Sequence, residues 1–162
     1  MDPVQALVEI ESIKQLKARY QRAVDTKDWS LLRSTFAPDA VSEYSGGKYC
    51  FQGRDAIMEF LEGSLGDHRI ASMHHAHTPE IEVTGETTAR GIWYLEDFVI
   101  NESAGTPHME GGSVLHGTGI YSDEYVKIDG EWKIARTGYE RIFEDIRPRD
   151  PKSRLKTRWD AV

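Results

Sequence analysis

The chain has 162 residues, one cysteine, and 27 acidic against 20 basic side chains, for a net charge of −7. That length suits one domain with a substantial core, and the negative balance repels a phosphate backbone, which excludes nucleic acid as a main partner. No apolar run reaches the roughly 20 residues that span a bilayer, and the lone Cys50 allows no intrachain disulfide.

The first residues, Met1–Gln5, have neither the charged start nor the apolar stretch of a signal peptide, so a cytoplasmic location is expected. From Val4 to about Asp25, Leu7, Ile10, Ile13, Leu16, Tyr20 and Ala23 or Val24 recur three or four apart, which predicts an amphipathic helix with one buried stripe. Asp28 can cap a second, shorter helix that buries Trp29, Leu32 and Phe36 before Pro38 stops it. Ala40 to Tyr44, Ser45-Gly46-Gly47 and Lys48 to Gln52 read as a hairpin, with Cys50 as a small core side chain between Tyr49 and Phe51. A third helix fits Asp55 to Ser64, with Ile57, Phe60 and Leu61 inward.

After Ser72 the period changes from helical to alternating. Four strands are predicted: Met73 to Val83, Thr87 to Asn101, Ser113 to Ile128, and Glu131 to Phe143, with turns at Thr84-Gly85 and Asp129-Gly130. Residues 102–112 form a loop long enough to cover a pocket mouth, and the basic tail from 147 to 162 reads as solvated or packed on another subunit. Helices followed by a long antiparallel sheet give an α+β architecture: a cone in which helices cover the concave face of a curved sheet around a pocket. The whole chain, 1–162, is read as one such domain with its core at about 4–146.

Asp25, His74, Asp97 and Arg141 stand among apolar or small neighbours on core-forming segments. Burying such groups unpaired costs several kcal/mol each, on the scale of a domain's net stability, so together they point to a polar site in an apolar cavity. Strand alternation puts Trp93, Leu95 and Asp97 on one face and Ile92, Tyr94 and Glu96 on the other. Asp97 either shares the cavity with Trp93 or ends its strand in water. In the last strand Ala135, Thr137, Tyr139 and Arg141 share a face, opposite Trp132, Ile134 and Arg136. Small and hydroxylic residues there leave room for a ligand, and Arg141 pairs with Asp97, holds a substrate oxygen, or forms a surface salt bridge.

The run Met73-His74-His75-Ala76-His77-Thr78-Pro79-Glu80 admits two chemistries. His75-x-His77 with Glu80 and the later His116 resembles the metal-ligand spacing of cupins, but cupins are essentially all-β and the first 64 residues here read as helical, so no metal is expected. His74 alone suits a general base held by Asp25, because an imidazole titrates near neutral pH. Tyr20 and Tyr44 could donate to a substrate carbonyl as enolate charge builds. On an ideal helix Tyr20 and Asp25 lie about 140° apart, so both reach one pocket only if the helix ends near Val24.

Taken together the chain resembles the SnoaL-like branch of the nuclear transport factor 2-like cone fold, and within it the bile-acid 7α-dehydratases. The resemblance rests on Ile13-Lys14-Gln15-Leu16-Lys17-Ala18 with Tyr20 and Asp25, Tyr44-Ser45, Ser72-Met73-His74, Trp93-Tyr94-Leu95-Glu96-Asp97, and Thr137-Gly138-Tyr139 with Arg141-Ile142-Phe143-Glu144. It implies a dehydratase acting through Tyr20, Asp25, His74, Asp97 and Arg141. The strand faces and hydroxyl chemistry above put Tyr44, Trp93, Thr137 and Tyr139 against the substrate, while His116 lies outside the bile-acid pattern and is expected there only from the second resemblance below. Further implications are a hydroxylated steroid-like enone, free or as a coenzyme A thioester, no cofactor, and a homotrimer formed through the outer sheet face. A second resemblance, to scytalone dehydratase, runs through Lys27-Asp28-Trp29, Tyr44, His74 and Arg141 to Asp145. It implies a compact aromatic ketone worked on by Asp25, Tyr44, His74 and His116. A ligand-binding domain without catalysis is the remaining alternative of this fold.

Overall fold

A computed structural model describes residues 2–102, 112–150 and 152–160. Helix α1 (Pro3–Thr26) opens with the Asp2 carboxylate accepting from the Val4 amide and Pro3 in the first turn, as helix starts favour. It closes on Lys27 in the left-handed region, with the Asp28 amide donating back to the Ala23 carbonyl at 2.9 Å. The helix therefore runs one turn-fraction past Val24 rather than ending there. Ile13, Leu16, Tyr20, Ala23 and Val24 form its buried stripe, and Lys17 lies on the same stripe, four residues after Ile13.

Helix α2 (Trp29–Thr35) is capped by Asp28, whose carboxylate accepts from the Leu31 amide. Phe36 does not belong to it. That ring is buried, but it starts strand β1 (Phe36–Tyr44), because Pro38 forces the chain before it into an extended conformation. The hairpin to β2 (Tyr49–Gln52) forms as expected through Ser45, Gly46 and Gly47, all with positive φ. Cys50 is exposed, not core: in a four-residue edge strand it points away from the aromatic layer. Helix α3 (Arg54–Leu65) turns Ile57 and Leu61 inward and stacks Phe60 against Phe51, Tyr49 and Tyr44.

Strands β3 (Ile70–Val83), β4 (Thr88–Asn101), β5 (Ser113–Ile128) and β6 (Glu131–Pro148) complete a six-stranded curved sheet in the order β2-β1-β6-β5-β4-β3. β1 runs parallel to β6 and every other pair is antiparallel. The helices lie over the concave face, an α+β cone. The segment 103–111, most of the expected mouth-covering loop, lies outside the described residues. Part of the basic tail folds back on its own chain: Trp159 stacks on His68 and sits beneath the Lys27 ammonium.

The last strand departs from strict alternation. Tyr125 pairs with Ile134 but Glu124 pairs with Arg136, so Ala135 is an extra residue and the strand's faces exchange there. Trp132 and Ile134 are buried before that bulge and Thr137 after it, on the same concave side, instead of on opposite faces. A second irregularity follows at Ile142, since Gly119 pairs with Arg141 and Thr118 with Phe143. Bulges of this kind bend a strand and re-aim its side chains, and here they bring Thr137, Tyr139 and Arg141 into the cone.

Candidate active site

Under the helices lies a cavity of about 190 Å³ whose lining includes Tyr20, Gln21, Tyr44, His74, Asp97, Tyr121, Tyr139 and Arg141. Larger grooves occur on the surface, one of about 520 Å³ beside Glu9, Glu131 and Lys133, but none of them holds His74, Asp97 or Arg141. The smaller cavity is therefore where these polar groups meet an apolar enclosure.

His74 and Asp97 face each other across the β3–β4 ladder as direct register partners. Behind His74, at the C-terminal turn of α1, Asp25 accepts from the His74 backbone amide at 2.8 Å and from the Ser72 hydroxyl at 2.8 Å, and lies 2.6 Å from His74 Nδ1. A carboxylate only accepts, so Nδ1 carries the proton in the neutral ring and Nε2 keeps a free lone pair. Asp25 does not line the cavity. Tyr20 faces the hollow while Asp25, further round the helix, reaches β3, so both serve one site without sharing a wall.

Asp97 is only 4% exposed and accepts two hydrogen bonds from Arg141, at 2.5 and 2.8 Å. Burial, the largest single influence, works against the charge of Arg141, but the hydrogen bond it donates to Asp97 and the neighbouring acidic groups together outweigh it and hold the guanidinium above its ordinary pKa. The Arg141 guanidinium sits over the Tyr139 ring at 4.8 Å, and its Nε has no hydrogen-bond partner, with Glu144 at 3.4 Å. Room for this pair comes from Gly117 of β5. A Cβ there would stand 2.5 Å from Arg141 Nη1 and 2.8 Å from Asp97 Oδ1.

The Tyr20 and Tyr44 hydroxyls lie 3.3 Å apart at the cavity wall. Burial raises both phenols well above their usual pKa, so they stay neutral donors. Below them is a buried polar network. Lys17 Nζ donates to Asp123 at 2.7 Å and sits 3.4 Å over the Tyr121 ring, while Tyr125 and Thr137 donate to the same carboxylate, each at 2.7 Å.

Three residues expected against the substrate lie elsewhere. Thr137 is committed to Asp123, and Trp93 donates its indole N–H to Tyr125 at 2.9 Å beneath the cavity wall. His116 projects from the outer face of the sheet, 3.2 Å from Glu96, because even-numbered β5 residues point away from the cone here while Gly117 and Tyr121 point in. Sequence reasoning missed Gln21, Gly117, Lys17 and Asp123. Their traces were present: Lys17 breaks an apolar helical stripe, Asp123 alternates with Tyr121 and Tyr125, and a glycine inside a strand marks a close approach. Gln21 accepts from the Ala76 amide, and its buried Nε2 is left without a partner at the cavity.

The model of the SnoaL-like domain matches residues 5–138, most of the chain and every site residue but Tyr139 and Arg141. The chain belongs to the SnoaL-like family. Among solved structures, this SnoaL-like domain is similar to a protein from Novosphingobium aromaticivorans DSM 12444 provisionally named a scytalone dehydratase, at 25% identity and a TM-score of 0.72 over 93% of this chain and 97% of that one. A protein of unknown function from Mycobacterium tuberculosis is similar at 27% identity and a TM-score of 0.67, over 87% of this chain and 76% of that one. A hexachlorocyclohexane dehydrochlorinase from Novosphingobium barchaimii LL02 shares the fold at 17% identity and a TM-score of 0.72, over 86% and 90% of the two chains.

Proposed function

We propose that this SnoaL-like domain is a cofactor-independent lyase that removes water from a hydroxylated cyclic ketone or enone. The observation that carries the reading is the Asp25–His74 contact at 2.6 Å beside a cavity that also holds two tyrosine hydroxyls and the Asp97–Arg141 pair. A simple apolar binder has no use for that set.

Each group takes a step. His74 Nε2 removes a proton from the carbon activated by the carbonyl, with Asp25 fixing the ring and stabilising the imidazolium that forms. Tyr20 and Tyr44 donate to the carbonyl oxygen as enolate charge develops. The C–O bond then breaks toward Arg141 and Asp97. Arg141 keeps Asp97 an acceptor, and burial makes the phenols weak acids, so protonated His74 is the acid that turns the departing hydroxide into water. The cycle is redox-neutral and returns His74 to its starting form.

The cavity also bears on substrate size. At about 190 Å³ it falls below the roughly 300–1,000 Å³ of sites that enclose a drug-sized ligand, which favours a compact ring system of the scytalone type. With His116 on the outer face, that reading relies on Asp25, Tyr44 and His74 alone. A bile-acid-like enone is the second reading. It is favoured by the gathering of Tyr20, His74, Asp97 and Arg141 at one cavity with Asp25 behind His74, and it requires the rest of the steroid to extend past Val99 and Leu115. Exposed Ile92 and Tyr94 on the outer sheet face suit a homotrimer. The test is a panel of hydroxylated aromatic ketones and 7α-hydroxy-3-oxo-4-ene steroids, the latter free and as coenzyme A thioesters, followed by mass loss of one water and by dienone absorbance. Turnover of either class that disappears in His74→Gln supports the lyase; tight binding across the panel without conversion would make the domain a binding module.

A further inference from the structure

The outer face of the sheet, back to back with the cavity, carries a group of ligating side chains that the elimination does not use. His75 on β3 and Glu96 on β4 are direct register partners. His77 follows two residues along the same face, and His116 reaches Glu96 diagonally from β5. Glu96 Oε2 lies 3.5 Å from His77 Nε2 and 3.9 Å from His75 Nδ1, and Oε1 lies 3.2 Å from His116 Nε2. The ligating atoms of His75, His77 and Glu96 all fall within 4.8 Å of one another, and no other such trio occurs among the described residues.

Glu80, the carboxylate suggested by spacing, is not part of this group. It pairs with Ile92, four residues further along β4 from Glu96 and so roughly 13 Å away at the usual strand rise. The pleat therefore replaces it with Glu96, a residue that spacing alone did not single out.

We propose that His75, His77, Glu96 and His116 bind a divalent transition-metal ion of the zinc type on the outer face of the sheet. Three imidazoles and one carboxylate are the donor set that borderline cations prefer, whereas magnesium and calcium favour all-oxygen sites. Tetrahedral ligands near 2.0–2.1 Å from the ion stand roughly 3.4 Å apart, a spacing that Glu96 already has with His77 and His116. The ligating atoms of His75, His77 and Glu96 spread over up to 4.8 Å and must draw together by roughly an ångström, and His116, now on the other carboxylate oxygen, must turn to join them, movements that half-exposed rings achieve by rotating. The bound ion straps β3, β4 and β5 together directly behind His74 and Asp97, the chain neighbours of His75 and Glu96. It stiffens the cavity wall from outside and takes no part in proton transfer.

The experiment uses the untagged full chain stripped with chelator and titrated with Zn²⁺, with Co²⁺ as a spectroscopic probe and Mg²⁺ as a control. One Zn²⁺ per chain, intense visible bands from tetrahedral Co²⁺, a raised melting temperature and no response to Mg²⁺ are expected. His75→Ala/His77→Ala should weaken Zn²⁺ binding at least about a hundredfold and His116→Asn about tenfold, while both variants melt like the parent in chelator. Superimposable Zn²⁺ isotherms for the parent and the double variant, or a Co²⁺ spectrum of the hexa-aquo type, would overturn the assignment.

Discussion

At the scale of single residues, two substitutions separate proton transfer from geometry. His74→Gln keeps a polar side chain but removes the base, and kcat should fall by about three orders of magnitude with substrate affinity little changed. Asp25→Asn is milder chemically but ambiguous in hydrogen bonding, since an amide can present either a donor or an acceptor to Nδ1; a drop of about a hundredfold and an altered pH profile are expected. Gly117→Ala tests the other half of the site. Its added methyl would lie 2.5 Å from a guanidinium nitrogen and 2.8 Å from a carboxylate oxygen, so the Asp97–Arg141 pair must shift. We expect kcat to fall at least about tenfold while the unfolding midpoint changes little. A large loss of stability with kcat intact would mean the pair only holds the sheet.

At the scale of elements, the helices, the hairpin and the four long strands were legible because each obeys a simple period, and alternation on β4 correctly set Asp97 beside Trp93 and Leu95. What periodicity could not supply was the phase of β6. The extra residue at Ala135 leaves no mark in local composition, because a bulge is decided by how two strands twist against each other. Hence strict alternation sets Trp132 and Ile134 on the face opposite Thr137, although all three are buried on the concave side. Commitment of Thr137 to Asp123 belongs to the network that pins α1 to the sheet through Lys17. Lys17 and Asp123 are 1% and 0% exposed, so removing one charge strands the other. Lys17→Met should destabilise by about 3–5 kcal/mol, read from denaturant unfolding, and Lys17→Met/Asp123→Leu should recover part of that loss because no charge is left buried. Additive losses in the double variant would show that the two residues act independently of each other.

At the scale of the whole molecule, the buried phenols give the fold a defined alkaline limit. Burial, ahead of every neighbouring charge, raises Tyr20, Tyr44, Tyr121 and Tyr125 well above the ordinary value of 10. Above about pH 10 the unfolded chain releases these protons and the folded chain retains them, so the folded state binds more protons and stability falls as pH rises. Each such group contributes up to about 1.4 kcal/mol per pH unit over that window. Lys17 acts with the opposite sign. Burial lowers its pKa against the pull of Asp123, so its contribution climbs with pH and is complete once the unfolded lysine also loses its proton near 10.5. Past that point only the tyrosines act. Denaturant midpoints measured from pH 8 to 11.5 should rise toward about pH 10 as Lys17 contributes and then drop steeply, with a shallower drop in Tyr125→Phe. A flat profile through pH 11.5 would mean the four phenols ionise in place, and Tyr20 and Tyr44 would then lose their standing as neutral donors to a developing enolate.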